Sequence, residues 1–291
     1  MAETSLTRGQ ILSETIESTA IQVPGAPNAL MGRLIEEMGF SATYLSGAVL
    51  SAGVLGMPDV GLFTLTELVE QLGYLTARVA IPVIVDADTG FGDTANVERA
   101  IAELERAGAA AIQLEDQQLP KRCGHLSGKS LVSADEMCAK IRAATAARAD
   151  EHTIIIARTD ARGVEDFEAA VARARRYVEA GADWIFPEAL ATRDEFQAFA
   201  KAIDVPLMAN MTEFGKSPLL DFSELADMGF RIVLYPVTLL RVAMKAAEST
   251  LSILAADGTQ RDLLDLMQTR QELYDLLEYD SYVERDREYF S

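Results

Sequence analysis

The sequence predicts an α/β fold, a (β/α)8 TIM-type barrel that forms a single domain over residues 1–291, with residues 258–291 as a C-terminal helical extension. Three observations predict it. A helix–glycine–strand unit recurs four times, eight strand-like segments alternate with helical ones, and the 291 residues slightly exceed the roughly 250 typical of such barrels. The excess length is what predicts the helical extension.

The recurring unit is a helical pattern that ends at a glycine and leads almost at once into an apolar run. The four glycines are Gly39, Gly108, Gly181 and Gly229. Glycine accepts the left-handed backbone that follows the last helical turn. Continuous apolar runs suit the buried strands of a parallel sheet covered by helices.

The strand-like segments occur at regular intervals along the chain. In order they are residues 21–23, 42–45, 81–85, 111–114, 153–157, 184–186, 205–209 and 232–235. Helix starts support the count, because Thr64 with Glu67 and Ser133 with Glu136 have the spacing of capping boxes. A doubly wound open sheet is the alternative, but no G-x-G-x-x-G pattern follows an early strand.

Composition narrows the class of protein. The sequence is 49% hydrophobic, so a sizeable core is expected. A net charge of −19, from 26 basic and 45 acidic residues, opposes binding to nucleic acid or to anionic membranes. Two cysteines are too few for a disulfide framework, and the N-terminus lacks the pattern of a signal peptide. We therefore expect a cytoplasmic protein with no membrane or nucleic-acid partner.

Three carboxylates follow two neighbouring predicted strands. Asp86 and Asp88 are two residues apart at the end of strand three, and Glu115 ends strand four. Carboxylates at adjacent strand ends converge on the mouth of a barrel and repel one another unless a cation lies between them. Oxygen ligands alone favour Mg²⁺, with Mn²⁺ as a second candidate. Helix capping or solvated loop carboxylates is the alternative interpretation.

The segment Lys121-Arg122-Cys123-Gly124-His125 combines two cations, a thiol, a glycine and an imidazole. A thiol beside cationic groups can exchange a proton near neutral pH, so Cys123 is a candidate acid. A basic surface turn is the alternative, since a lone cysteine is commonly a small buried apolar residue.

Other polar residues follow the remaining strands and complete the predicted site. They are Tyr44, Ser46, Gly47 and Ala48 at strand two, Arg158 at strand five, Glu188 at strand six, Asn210 and Thr212 at strand seven, and Pro236 with Arg241 after strand eight. The glycine-rich segment 47–61, which contains Asp59, is either a flexible loop or a cover over the substrate.

At residues 86–92, Asp-Ala-Asp-Thr-Gly-Phe-Gly, and at the Cys123 segment, the chain resembles the isocitrate lyase and phosphoenolpyruvate mutase superfamily. The resemblance covers nearly the whole chain. The Cys-Gly-His run is typical of the carbon–carbon lyase branch, because the phosphonate enzymes have Asn-Ser in place of Cys-Gly. Within that branch, residues 210–215 and 234–236, and Arg122, resemble 2-methylisocitrate lyases. Ala48 departs from the family's usual Ser-Gly-Gly.

The resemblance implies a Mg²⁺-dependent cleavage of 2-methylisocitrate to pyruvate and succinate, a step of propionate catabolism in the methylcitrate cycle. It implies Cys123 as the proton donor, with Lys121, Arg122, His125 and Arg158 as further catalytic residues. Gly124, Glu188, Asn210, Thr212 and Arg241 would bind substrate. The base stays open between Tyr44, Asp59 and a metal-bound oxygen. Rival substrates are isocitrate, 2,3-dimethylmalate and oxaloacetate, and a non-catalytic dicarboxylate-binding barrel is the alternative outside enzymes.

The extension carries a leucine stripe at helical spacing within residues 261–286, which predicts an amphipathic helix. The resemblance implies that such C-terminal helices are exchanged between subunits, giving a homotetramer built as a dimer of helix-swapped dimers. Arg270 would then reach a substrate carboxylate. The alternative is a tail that packs on its own barrel.

Overall fold

The computed structural model describes residues 6–290, so the first five residues and Ser291 lie outside the described residues. All eight predicted strands form. They are β1 (Ile21–Pro24), β2 (Thr43–Leu45), β3 (Val83–Asp86), β4 (Ala111–Glu115), β5 (Ile154–Thr159), β6 (Trp184–Pro187), β7 (Met208–Asn210) and β8 (Ile232–Tyr235). The predicted strand count is therefore confirmed.

The helices cover the strands and extend beyond them. They are α1 (Arg8–Ser18), α2 (Ala29–Glu37), α3 (Gly47–Val49), α4 (Leu65–Thr76), α5 (Thr94–Arg106), α6 (Ala134–Ala147), α7 (Ala161–Val164), α8 (Phe167–Glu179), α9 (Arg193–Ala202), α10 (Phe222–Met228), α11 (Thr238–Asp257), α12 (Arg270–Leu276) and α13 (Tyr279–Tyr289), with a π-helical turn at Leu50–Val54 and a 3₁₀ turn at Arg261–Leu266.

The strands pair in parallel and close on themselves. β2 to β6 pair in chain order, and β8 lies between β1 and β7. Two bridges join these groups, Gly25 with Tyr44 and Ile185 with Leu207. The amide of Ile185 donates to the Pro206 carbonyl at 3.1 Å. The TIM-type barrel that the sequence predicts is thus the observed architecture.

The four glycine turns form as predicted. Gly39, Gly108, Gly181 and Gly229 have φ between 84° and 109°, a left-handed conformation that only glycine adopts without strain. Thr64 and Glu67 form the expected capping box. Such turns let each helix return its chain directly to the next buried strand.

Two apolar layers hold the barrel together. One lies between strands and helices, and the other fills the barrel interior with residues such as Ile84, Ile156 and Trp184. Leu12 and Ile16 of α1 belong to the interior cluster, so α1 closes the end of the barrel where the strands begin. The buried charged residues, such as Asp86, Glu115 and Arg158, lie at the opposite end, where the strands finish.

The C-terminal extension differs from the prediction of one amphipathic helix. It divides into the 3₁₀ turn, α12 and α13, because Thr269 and Glu272 form a capping box that starts α12 and Glu278 adopts a left-handed φ of 53°. Arg33 pairs with Glu278 at 3.3 Å, and Arg78 donates to the Tyr282 hydroxyl at 2.9 Å. Through these contacts the end of the C-terminal extension packs on the barrel of its own chain.

Segment 47–61 is not a simple flexible loop, because it begins with α3 and the π-helical turn. Of the helices among residues 6–290, none is long and apolar enough to cross a membrane.

Candidate active site

A cavity of about 1110 Å³ opens where the strands end. It brings together sixteen of the predicted site residues, namely Tyr44, Ser46, Ala48, Asp59, Asp86, Lys121, Arg122, Cys123, Gly124, His125, Arg158, Glu188, Asn210, Thr212, Pro236 and Arg241. Asp88, Glu115 and Gly47 contact this set from below, through Lys121, Arg158 and Asp86 respectively. Arg270, at the start of α12, does not line the cavity of its own chain.

The predicted metal ligands converge. One carboxylate oxygen from each of Asp86, Asp88 and Glu115 lies within 4.8 Å of the others, and all three residues are buried. The sequence predicts that Asp86 and Asp88 share one face of a strand, but Asp88 does not lie on the strand. β3 ends at Asp86, and Asp88 reaches the cluster from a turn with a left-handed φ of 47°. The conformation of that turn, rather than strand alternation, aims Asp88.

Burial dominates the electrostatics of these carboxylates. Burial raises the pKa of Asp88 from 3.8 to about 7, although Lys121 opposes the rise. Burial likewise raises the pKa of Glu115 well above its ordinary value, against the pull of Arg158 and Lys121. Glu115 Oε1 is buried without a hydrogen-bond partner among the described residues. A buried, unsatisfied carboxylate among two others fits a divalent cation.

Lys121 bridges the metal-type cluster and segment 47–61. Its Nζ lies 2.7 Å from Asp88 Oδ1 and 2.5 Å from Asp59 Oδ1. Burial acts to lower the pKa of this ammonium, but Glu115 and Asp88 outweigh it and the net pKa is raised. Lys121 therefore stays charged and ties the first residue of the Cys123 segment to the carboxylates.

Arg158 lies at the centre of the cavity floor. Its guanidinium contacts Glu115 at 3.4 Å, Asp160 at 2.9 Å and Glu188 at 3.3 Å. β4 and β5 pair Glu115 directly with Arg158, so the backbone register itself sets the first of these contacts. The three carboxylates fix the guanidinium plane beside the substrate space.

Glu188 accepts from several donors at once. His125 Nε2 lies 2.8 Å from its Oε1, and Asn210 Nδ2 lies 3.2 Å from its Oε2. Burial acts to raise the pKa of Glu188, but Arg158 and the His125 hydrogen bond outweigh it and lower the pKa. Glu188 is thus an ionised organiser of three neighbouring side chains.

The Cys123 segment packs closely on the barrel. A Cβ on Gly124 would lie 2.3 Å from Arg158 Nη2, so only glycine fits there. The Lys216 amide donates to His125 Nδ1 at 2.9 Å, which leaves the proton of the neutral ring on Nε2, facing Glu188. Cys123 itself is half-buried and free of disulfide bonds. The basic surface turn is therefore the poorer description of this segment.

The rim of the cavity carries Arg241. Its guanidinium lies 3.5 Å from Glu213 and stacks over the Phe214 ring at 5.5 Å. Unlike Arg158, it is about half exposed, with a side-chain exposure of 49%. A partly solvated cation at the rim can exchange its partner for a substrate carboxylate.

Two site residues, Gln113 and Lys129, escaped the sequence analysis. Gln113 accepts from the Tyr44 hydroxyl at 2.6 Å and donates to Asp86 at 3.0 Å. Its position two residues before Glu115, on the same strand face, was the available signal. Lys129 and Asp160 form a buried ion pair at 2.6 Å, and nothing in the local pattern around Lys129 pointed to it.

The sequence pattern that defines the phosphoenolpyruvate phosphomutase family matches residues 15–255. The chain belongs to this family. A 2-methylisocitrate lyase from Aeropyrum pernix is 55% identical over 281 residues, which cover 96% of this chain and 90% of that enzyme.

Two solved structures superpose closely on the whole chain. A crystal structure of 2,3-dimethylmalate lyase, described as a member of the PEP mutase/isocitrate lyase superfamily, matches with a TM-score of 0.91 at 35% identity, covering 97% of this chain and 95% of the other. A structure of oxaloacetate acetylhydrolase with the inhibitor 3,3-difluorooxalacetate matches with a TM-score of 0.92 at 33% identity, covering 98% of each chain. The superfamily expected from the sequence is confirmed.

Proposed function

We propose that this protein is a Mg²⁺-dependent carbon–carbon lyase that cleaves 2-methylisocitrate to pyruvate and succinate. The observation that carries the proposal is a single cavity lined both by Cys123 and by Asp86 of the buried carboxylate cluster. A proton donor and an oxygen-ligand cation site sharing one cavity suit a retro-aldol cleavage. The 55% identical relative bears the name of this activity.

The carboxylate cluster of Asp86, Asp88 and Glu115 would hold the cation. Its all-oxygen donor set suits Mg²⁺, with Mn²⁺ as the substitute, and the unsatisfied Glu115 oxygen supports occupancy by a cation. A bound divalent ion supplies Lewis-acid polarisation of the substrate hydroxyl and its neighbouring carboxylate.

In the cleavage, the substrate loses one proton from its hydroxyl and gains one on the carbon that becomes part of succinate. The hydroxyl proton leaves, the oxygen forms the pyruvate carbonyl, and the carbon–carbon bond breaks. Its electron pair stays on the carbon next to a succinate carboxylate. The Cys123 thiol donates its proton to that carbon and completes succinate. Arg158, charged and held by three carboxylates, stabilises the negative charge on the oxygens.

The structure favours Asp59 over Tyr44 as acceptor of the hydroxyl proton. Burial and Asp86 raise the pKa of Tyr44 well above 10, so its phenol keeps its proton at neutral pH and donates to Gln113. Asp59 lines the same cavity, and Lys121 lies 2.5 Å from its carboxylate. When Asp59 takes up the proton, Lys121 stays charged and keeps its ion pair with Asp88 at 2.7 Å.

The remaining carboxylates of the substrate have their own partners. Ser46, Ala48 and Gly124 line the cavity and would contact the substrate, while the Gly47 amide donates to Asp86 at 3.2 Å and would act through that carboxylate. Asn210, Thr212, Pro236 and Arg241 line the distal part of the cavity. Among the described residues, the Arg122 guanidinium makes one hydrogen bond, to the Ser127 carbonyl at 3.3 Å, so its charge is available to the substrate. Glu188 acts by orienting His125 and Asn210.

A substrate panel tests the assignment. Purified protein with Mg²⁺ should release pyruvate from 2-methylisocitrate with a kcat/KM about 10- to 200-fold above that for cleavage of isocitrate, which lacks only a methyl group and would yield glyoxylate. 2,3-Dimethylmalate and oxaloacetate lack one of the three carboxylates, so a pocket that binds this group should reject them more strongly. Faster turnover of one rival would reassign the substrate. Tight binding of these acids without product would instead support a dicarboxylate-binding barrel.

We also propose the setting and the assembly. The reaction places the enzyme in propionate catabolism, in the methylcitrate cycle of the cytoplasm. α11 contains no buried residue over 20 positions, and exposes Val242, Met244 and Leu251 by more than 60% each. Such a helix fits against a second copy of the chain. A helix-swapped dimer, paired into a homotetramer, would cover it and bring Arg270 to a neighbouring site.

A further inference from the structure

Lys129 is a buried cation outside the cavity wall. Its side chain is 1% exposed, and it is absent from the residues that line the cavity. The ammonium donates to the Gly124 carbonyl and to Asp160 Oδ1, the latter at 2.6 Å. Gly124 directly follows Cys123, so Lys129 joins the Cys123 segment to the end of β5.

Asp160 is a fixed anchor. It accepts from Arg158 Nε at 2.9 Å while its other oxygen accepts from Lys129. Its backbone amide donates to Asp116 at 2.9 Å, and Asp116 is held by the Thr159 hydroxyl at 2.7 Å. Lys129 and Arg158 are therefore two cations attached to one immobilised carboxylate.

The geometry points to Lys129 as a positioning residue, which fixes the Cys123 thiol relative to the Arg158 guanidinium through Gly124 and Asp160. This inference deepens the proposed function and rests on it, because it takes Cys123 as the proton donor and Arg158 as the charge at the substrate oxygens. Lys129 does not line the cavity, and its hydrogen bonds go to Gly124 and Asp160 rather than to Asp86, Asp88 or Glu115. Its effect on the reaction is carried by the two groups it holds.

Loss of Lys129 has two physical consequences. The Gly124 carbonyl loses a charge-assisted hydrogen bond, which frees the Cys123 segment. Asp160 keeps Arg158 as its only side-chain cation, so Arg158 is drawn from Glu115 and Glu188, which it contacts at the longer distances of 3.4 and 3.3 Å. Proton donor and guanidinium both shift from the positions that the cleavage requires.

Lys129→Met tests the inference, with Arg148→Met as the matched control. Arg148 also bridges a backbone carbonyl and a carboxylate, Thr153 at 2.8 Å and Asp183 at 2.7 Å, but where β5 and β6 begin. We expect Lys129→Met to lower kcat about 100-fold, as misplaced reacting groups do, with KM changed less than about threefold. Arg148→Met should lower the unfolding temperature and leave kcat near the parent value.

A second readout does not depend on turnover. Iodoacetamide should alkylate Cys123 roughly tenfold faster in Lys129→Met than in the parent, because the segment loses a hydrogen bond to a charged group. Buried Cys138, on α6, is the internal reference within the same sample. Cleavage by trypsin after Arg122 should accelerate in parallel, while Arg148→Met should change neither rate.

Parent-like alkylation of Cys123 together with a kcat within threefold of the parent would overturn the positioning role. If Lys129→Met does not fold, Lys129→Gln is judged by kcat alone, because it keeps a donor for the Gly124 carbonyl and removes only the charge beside Asp160. A kcat within threefold of the parent would then overturn the role. A parent protein that releases no pyruvate from any substrate would end the proposed function, while the alkylation comparison would still decide the role of Lys129 in holding the segment.

Discussion

The cavity end of the barrel and the region that begins at α11 differ in which side chains they expose to water. At the cavity, Glu115 is 1% exposed and Arg158 is 8% exposed, so charges are buried. On α11 Leu251 is 64% exposed, and in the 3₁₀ turn that follows it Leu266 is 83% exposed, so apolar side chains face solvent. Each region reverses the usual distribution of residues.

The difference shows how each region is completed. Buried charges at the cavity are paired with opposite charges of the same chain, and the carboxylate cluster, which Lys121 and Arg158 offset in part, also fits one cation. The exposed apolar surface of α11 is not covered by other described parts of the same chain. Covering it requires a second apolar surface of similar extent. We therefore expect the first region to bind an ion and a substrate, and the second to pack against a partner subunit.

Metal removal should give the largest change in activity, and it should affect the cavity but not the assembly of subunits. We expect chelation with EDTA to abolish pyruvate release and Mg²⁺ to restore it, because three converging carboxylates lose their counter-charge. The oligomeric state measured by sedimentation should not change. Undiminished turnover in protein shown by elemental analysis to be metal-free would contradict the proposed cofactor.

Cys123→Ser should reduce kcat by about 10²- to 10⁴-fold, the usual contribution of a positioned acid. A hydroxyl of similar size keeps the packing but is a much weaker acid, so substrate should still bind, as calorimetry can measure. A variant that turns over within tenfold of the parent would exclude Cys123 as the proton donor.

Leu251→Glu tests the apolar region. In an isolated chain this exposed side chain should change unfolding free energy by no more than about 0.5 kcal/mol. In a helix-swapped assembly the buried carboxylate should dissociate subunits and lower activity as Arg270 leaves the neighbouring site. Sedimentation velocity distinguishes an isolated chain from a helix-swapped assembly. The matched control is Leu251→Met, which keeps an apolar side chain and should leave the assembly intact. An assembly unaffected by Leu251→Glu would place the interface elsewhere.

The smallest expected effect is a pH dependence set by Asp88. Burial raises its folded-state pKa to about 7 from an ordinary 3.8, so the metal-free protein loses stability as pH rises through this window. Mg²⁺ favours the ionised carboxylate, and its increase in unfolding temperature should therefore grow from pH 5 to pH 8. Asp88→Asn should flatten the dependence in the metal-free protein. An equal Mg²⁺ effect at both pH values would argue against Asp88 as a ligand.

Much of the candidate site could be predicted because strand ends of a parallel barrel meet at one mouth. Asp86, Arg158 and Asn210 line one cavity for that reason, whereas residues 121–125 reach it from the segment between β4 and α6. Lys129 was missed because its partner, Asp160, is 31 positions away in sequence. Gln113 was missed although its alternation with Glu115 was visible on β4.

The sequence by itself determined the eight strands, the four glycine turns and the carboxylate cluster, because these depend on periodicity and on local backbone preference. Only the tertiary structure decided how Asp88 enters the cluster, how Lys129 holds the Cys123 segment, and how the tail divides at Glu278. The physical reason is range. Hydrophobic alternation and glycine conformation act over a few residues, whereas ion pairs and buried contacts join residues that only the closed barrel brings together.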